Sequence, residues 1–126
     1  MADACSVLVV EDELLVQDLI QEALTEAGYA VATANTGAQA AALLAAKADH
    51  LCVLVTDINL GAPPNGWDVA RQARALNPAL AVLYVSGDSA HDWRRHGVAG
   101  SRLVHKPFAT DEILAALDGL IQPAPV

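Results

Sequence analysis

In LCVLVTD, residues 51–57, apolar and β-branched side chains run without interruption into a single carboxylate, Asp57. A strand with no polar alternation is covered on both faces, the usual condition of a parallel sheet. The carboxylate then marks the point where the strand leaves the core. Upstream, SVLVV (residues 6–10) repeats the pattern and stops at Glu11, Asp12 and Glu13. Between the two runs, residues 14–27 carry Leu15, Leu19, Ile20, Ala23 and Leu24 at helical spacing, with Gly28 placed for a left-handed cap. Residues 29–34 read as a short strand, and Thr36 is placed to cap an alanine-rich helix over residues 38–48.

The alternation continues downstream. A loop rich in Gly and Pro (Gly61, Pro63, Pro64, Gly66) leads into a helix over residues 67–76, and Asn77-Pro78 separates it from a strand over residues 81–86 that ends in Ser86. A short, weakly amphipathic helix is expected over residues 90–96. The fifth strand is expected over residues 102–105, directly before Lys106. Thr110 is placed to cap a last helix with Ile113, Leu114, Leu117 and Leu120 on one face, and Asp111 and Glu112 suit its N-terminal dipole. Residues 122–126, with two prolines, end the fold.

Five strand–helix repeats imply an α/β, doubly wound (βα)5 flavodoxin-like sandwich with a five-stranded parallel sheet. At 126 residues the chain is expected to be one domain, residues 1–126, with its core over about 6–122. A hydrophobic share of 54% and a mean hydropathy of +0.34 supply a packed interior and exclude intrinsic disorder. The formal net charge of −8 argues against direct nucleic-acid binding. No run approaches the ~20 apolar residues needed to cross a bilayer. Cys5 and Cys52 match no zinc spacing, and no signal peptide opens the chain, so reduced thiols in the cytoplasm are expected.

In such a sheet, ligands gather at the carboxyl ends of the strands. Glu11 and Asp12 end the first strand, Asp57 the third and Ser86 the fourth, while Lys106 follows the fifth. Three carboxylates on one rim repel one another unless a hard cation sits among them, so Mg²⁺ is the implied cofactor. With the metal neutralising Glu11 and Asp12, Asp57 can attack a phosphoryl group in line, and Lys106 and the Ser86 hydroxyl can hold its oxygens. The product would be an aspartyl phosphate.

The stretches VLVVEDE (residues 7–13), LVTDINL (54–60), LYVSGD (83–88) and HKPF (105–108) stand in the order and approximate spacing of the response-regulator receiver family, which this chain resembles from residue 6 to about 122. The resemblance implies that Glu11, Asp12, the Asp57 carboxylate and the Asn59 backbone carbonyl bind the metal. It also implies that Asp57 takes phosphate from a sensor histidine kinase or histidine phosphotransfer protein. Ser86 would be the switch hydroxyl, Lys106 the phosphate contact, and Lys106-Pro107 a cis bond, for which the trans preference is small. The signal would pass to a downstream protein, with Asn59 and Asp88 tuning the lifetime of the phosphoryl group.

The chain departs from the family at several points. Leu103 stands where the family often has Tyr or Phe, the loop from Asp57 to Gly66 is one residue longer than the chemotaxis-type pattern, and Gly61 stands where proline is common. The stretch from Ser86 to Lys106 is short, which should trim the fourth helix. Plainer readings apply to other residues: Glu13 belongs to the first helical turn, Trp67 covers the core, and His91, Trp93, Arg94 and His96 form an exposed amphipathic segment. His50 and His105 have no assigned role. Two competing readings remain: a pseudo-receiver that binds proteins without phosphorylation, and an Asp-nucleophile phosphatase of the haloacid dehalogenase type. The second places its nucleophile on the first strand, where this chain has Glu-Asp-Glu.

Overall fold

The computed structural model describes residues 6–87 and 92–121. The buried runs form β1 (Ser6–Val10), β2 (Ala30–Ala34), β3 (Leu51–Asp57), β4 (Ala81–Ser86) and β5 (Arg102–His105). They alternate with α1 (Leu14–Glu26), α2 (Gly37–Lys47), α3 (Gly66–Leu76), α4 (Trp93–His96) and α5 (Thr110–Ile121). The sheet is parallel throughout, in the order β2-β1-β3-β4-β5, which is the doubly wound flavodoxin-like arrangement.

Period-two alternation divides each central strand between two cores. Leu8, Leu54, Val82 and Tyr84 join a cluster with residues of α2 and α3, while Val7, Val9, Val53, Val55, Leu83 and Val85 pack with Ile20, Leu24, Ile113 and Leu117 of α1 and α5. Both faces are dry, so the strands need no polar positions until they reach the rim. The strand order reverses between β1 and β3, the topological switch point where such sheets bind ligands. Val10 pairs with Thr56 and Asp57 with Val85, which sets Glu11 and Asp57 level on neighbouring strands.

Local signals explain most of the helix starts. The Thr36 hydroxyl accepts from Gln39 N at 3.0 Å, and Asn65 with Asp68 forms a capping box at α3. Gly28 adopts φ +101° after α1, as a left-handed cap requires. Gly37 and Gly66 are required for close approach: a Cβ at Gly37 would run into the Pro64 carbonyl, and one at Gly66 into the Asp57 carbonyl. The long β3–α3 loop therefore lies back against the starts of two helices. Both Pro63-Pro64 and Lys106-Pro107 are cis, the second as the resemblance implies.

Several expectations are corrected. α1 does not bury the whole apolar set: Ile20 and Leu24 are buried together with Gln17, while Leu15 and Leu19 are 86% and 48% exposed. The helix carries two adjacent apolar stripes, and only one can face the sheet. Thr110 is the first residue of α5 rather than its cap; the Glu112 carboxylate accepts from Ala109 N at 2.9 Å and does that work. Cys52 is disulfide-bonded, so the expected free thiol is not found there, and Cys5 lies outside the described residues. The described part of the fourth helix is only Trp93–His96. Asp88, Ala90, His91 and Gln122 lie outside the described residues. Trp67 is buried as expected, edge-on to Tyr84 with ring centroids 4.8 Å apart.

Candidate functional site

Three carboxylates meet around one ammonium group. Lys106 Nζ lies 3.0 Å from Asp57 Oδ2, 3.1 Å from Glu11 Oε2 and 3.4 Å from Glu13 Oε1. β5 delivers it there, because Lys106 N donates to the Ser86 carbonyl at 2.9 Å and so continues the β4–β5 pairing past the last rung. Ser86 is buried at the end of β4. Ile58 N donates to Val85 O at 3.2 Å, tying the chain just after Asp57 to the same strand.

Glu11 is 1% exposed and fixed at several points. Its backbone N–H donates to the Ala34 carbonyl at 3.1 Å, and its Oε1 accepts from Glu13 N at 3.2 Å. Oε2 is buried and accepts no hydrogen bond. Lys106 is near enough to pair with it as a charge but is not aligned to donate, so a lone pair points into the site unused. Asp57 is 6% exposed, with Oδ1 accepting from Asn59 N at 3.3 Å and Oδ2 from Lys106.

These contacts set the electrostatics. Burial, followed by the negative charge of Asp57, pushes the Glu11 carboxyl up to about 8, against the pull of Lys106 and the Glu13 N–H. For Lys106, burial acts downward, but its hydrogen bond to Asp57 and its charge pairing with Glu11 more than reverse this and leave the ammonium raised above its ordinary value. One cation is thus shared among more anions than it can neutralise.

Glu11, Asp12, Glu13 and Asp57 each bring a carboxylate oxygen within 4.8 Å of the others. Glu11 and Asp57 are buried, whereas Asp12 and Glu13 are exposed. The donors are hard oxygens with excess negative charge, a set suited to a hard divalent cation. The arrangement also holds a buried nucleophilic carboxylate beside an ammonium and a hydroxyl-bearing strand end, the parts needed to accept a phosphoryl group. Glu13 differs from its expected place: it occupies the N-cap position of α1, outside the first turn, and its carboxylate joins the cluster. Gln17 beneath this turn was not singled out from the sequence. The signal was its position three residues before Ile20 on the stripe that packs.

The family model for the response regulator receiver domain matches residues 7–118. The probable transcriptional regulatory protein TcrX of Mycobacterium tuberculosis is 34% identical over 119 residues, which cover 93% of this chain and 50% of that protein. The alginate biosynthesis transcriptional regulatory protein AlgB of Pseudomonas aeruginosa is 40% identical over 112 residues, covering 87% of this chain and 24% of that protein. The chain therefore spans about half the length, or less, of these curated relatives. The crystal structure of a response regulator receiver protein from Sinorhizobium medicae superposes with a TM-score of 0.89 at 35% identity, covering 96% of this chain and 97% of that one.

Proposed function

This chain belongs to the response regulator receiver domain family, and on that premise we propose that it is a phosphoacceptor switch of a two-component phosphorelay, phosphorylated on Asp57 in a Mg²⁺-dependent reaction. The observation that carries this reading is the buried pair Glu11 and Asp57 held 3.1 and 3.0 Å from the Lys106 ammonium. The unused Glu11 Oε2 and the all-oxygen donor set fit Mg²⁺. Glu11, Asp12, Asp57 and the Asn59 backbone carbonyl would hold it. When bound, the ion neutralises the carboxylates and the charge on the phosphoryl oxygens.

This chain's residues do the rest. An Asp57 carboxylate oxygen attacks phosphorus in line; the new O–P bond forms as the P–N bond to a donor phosphohistidine breaks, and the imidazole leaves. Lys106 trades its contact with Asp57 for one with a phosphoryl oxygen, and the Ser86 hydroxyl holds another. The donor is a sensor histidine kinase or phosphotransfer protein. It approaches along an open groove lined by Glu13, Val16, Leu19, Lys106, Pro107 and Phe108, beside the exposed Leu14 and Leu15. The signal passes onward by contact with another protein; the charge of −8 disfavours direct nucleic-acid contact. No helix among the described residues is long and apolar enough to cross a membrane. We place the switch in the cytoplasm with its kinase, and the Cys52 disulfide is the feature that opposes this placement; mass spectrometry under non-reducing conditions on protein from intact cells decides it.

Incubation with acetyl phosphate and Mg²⁺ should add one phosphoryl group to the native chain and none to Asp57→Asn. Stoichiometric acyl phosphate on the variant would move the site elsewhere. A native chain that stays unmodified by every phosphodonor would favour the pseudo-receiver.

A further inference from the structure

We infer that Gln17 is a positioning residue for the metal site, holding the backbone of Glu11 so that its carboxylate faces Asp57; this rests on the phosphoacceptor reading above. Gln17 is 6% exposed and lies on the stripe of α1 that packs against the sheet, with Ile20 and Leu24. Its Nε2 lies 3.3 Å from the Glu11 carbonyl, 3.1 Å from the Ala34 carbonyl and 2.8 Å from Asn35 Oδ1. Two N–H groups thus serve three acceptors. Any buried amide must find partners, so satisfaction alone says little.

What sets Gln17 apart is which partners it has. The Glu11 N–H donates to the same Ala34 carbonyl that Gln17 binds, so both peptide groups of Glu11 hang from one short segment, Ala34 and Asn35. That segment is itself fixed: Asn35 N donates to Gln39 Oε1 at 2.8 Å, and the next residue, Thr36, caps α2. A continuous set of bonds therefore runs from the start of α2 through Asn35 and Gln17 to the carbonyl of the residue whose Oε2 points unused into the site. Without the amide, the Glu11 carbonyl loses its side-chain donor and the turn can rotate toward water, taking the carboxylate with it. Partners one step behind a metal ligand commonly set affinity by ten- to a hundredfold.

The test uses the full chain and Mg²⁺ alone, titrated while backbone amide shifts are followed by NMR, with thermal melts alongside. Gln17→Met keeps length and apolar volume but donates nothing, and should weaken Mg²⁺ binding about tenfold. Asn35→Ala removes the anchor of the amide and should weaken it less, by about threefold, and it serves as the test if Gln17→Met does not fold. Gln72→Met is the comparison, because Gln72 Nε2 donates to the Ala41 carbonyl at 3.1 Å between α3 and α2, away from the carboxylates. It should lower the melting temperature and leave Mg²⁺ affinity unchanged. Native Mg²⁺ affinity in folded Gln17→Met, or equal weakening in Gln72→Met, would overturn the proposal. Glu11→Gln separates the premise: if it binds Mg²⁺ as the native chain does, the metal site itself is misassigned, whatever Gln17 does.

Discussion

Lowering the pH should weaken Mg²⁺ binding far above the range in which ordinary carboxylates titrate. Burial and the charge of Asp57 push Glu11 up to about 8 in the metal-free protein, so below that value the residue carries a proton that the cation must displace. Lys106, raised above its ordinary value, stays charged throughout and adds no slope. For one competing proton the apparent Kd rises by a factor of 1 + 10^(8 − pH): close to 1 at pH 9, about 10 at pH 7 and about 100 at pH 6. The change from pH 9 to pH 6 corresponds to about 2.7 kcal/mol of binding free energy. Calorimetry in buffers of different ionisation enthalpy should detect about one proton released per Mg²⁺ bound near pH 6. Glu11→Gln should bind weakly with little pH dependence over this range. If the native Kd is flat from pH 6 to pH 8, with no proton release, Glu11 is ionised in the empty site and the electrostatic account fails.

Other outcomes follow from the same geometry. Because Glu11 has a folded-state pKa raised above its ordinary value of 4.5, its contribution to metal-free stability is full below about 4.5 and is lost as pH rises through about 8; denaturant melts in EDTA should show this loss in the native chain and not in Glu11→Gln. Asp57→Asn should melt higher than the native chain in EDTA at pH 9, by an amount on the order of 1 kcal/mol, and the gap should narrow at pH 6 where Glu11 carries a proton; a lower melt at pH 9 would mean that the lost Lys106 pairing outweighs the repulsion. Tyr84→Phe removes the buried hydroxyl that accepts from Val98 N at 3.1 Å and should cost about 1–3 kcal/mol, with faster amide exchange at Val98; native exchange there would argue against this bond. Bulky apolar residues at Asn59 and Asp88 together should slow loss of the phosphoryl group, and an unchanged decay time would remove both from water positioning.

The strands were legible because a parallel sheet with both faces covered leaves no ambiguity about what its runs look like, and SVLVV and LCVLVTD have that form. The rim residues were legible for the same reason: a carboxylate ending such a run has only the rim to occupy. α1 was harder to read. Leu15 and Leu19 form as good a stripe as Ile20 and Leu24, and the choice between them is made by contacts with β-strands and α5 that spacing alone does not encode. Gln17 stayed hidden because its acceptors come from Ala34 and Asn35, an element away in sequence. Glu13 reads as a first-turn carboxylate suited to the helix dipole, whereas its contact in the site is with a lysine 93 residues downstream. At α5, Thr110 is the kind of residue that caps helices, but Glu112 holds the free N–H of Ala109 one residue earlier.

The parallel topology also dictates an order in time. Glu11, Asp12, Glu13 and Asp57 all lie in the first 57 residues of the sequence, while Lys106 follows Asp57 by 49. At ~5–20 residues per second of synthesis, a growing chain carries the acids for roughly 2–10 s before their counter-charge exists. The ammonium reaches them only when β5 docks on β4 and brings Lys106 back to Asp57 and Glu11, contacts between distant parts of the chain of the kind that form late and slowly. A nascent or partly folded chain is therefore expected to be deaf: it has the acceptor but lacks the group that holds the incoming phosphoryl. In interrupted refolding, acceptance of phosphate should rise together with the signal for β5 docking, and acceptance that came earlier would show that the last strand is not what arms the switch.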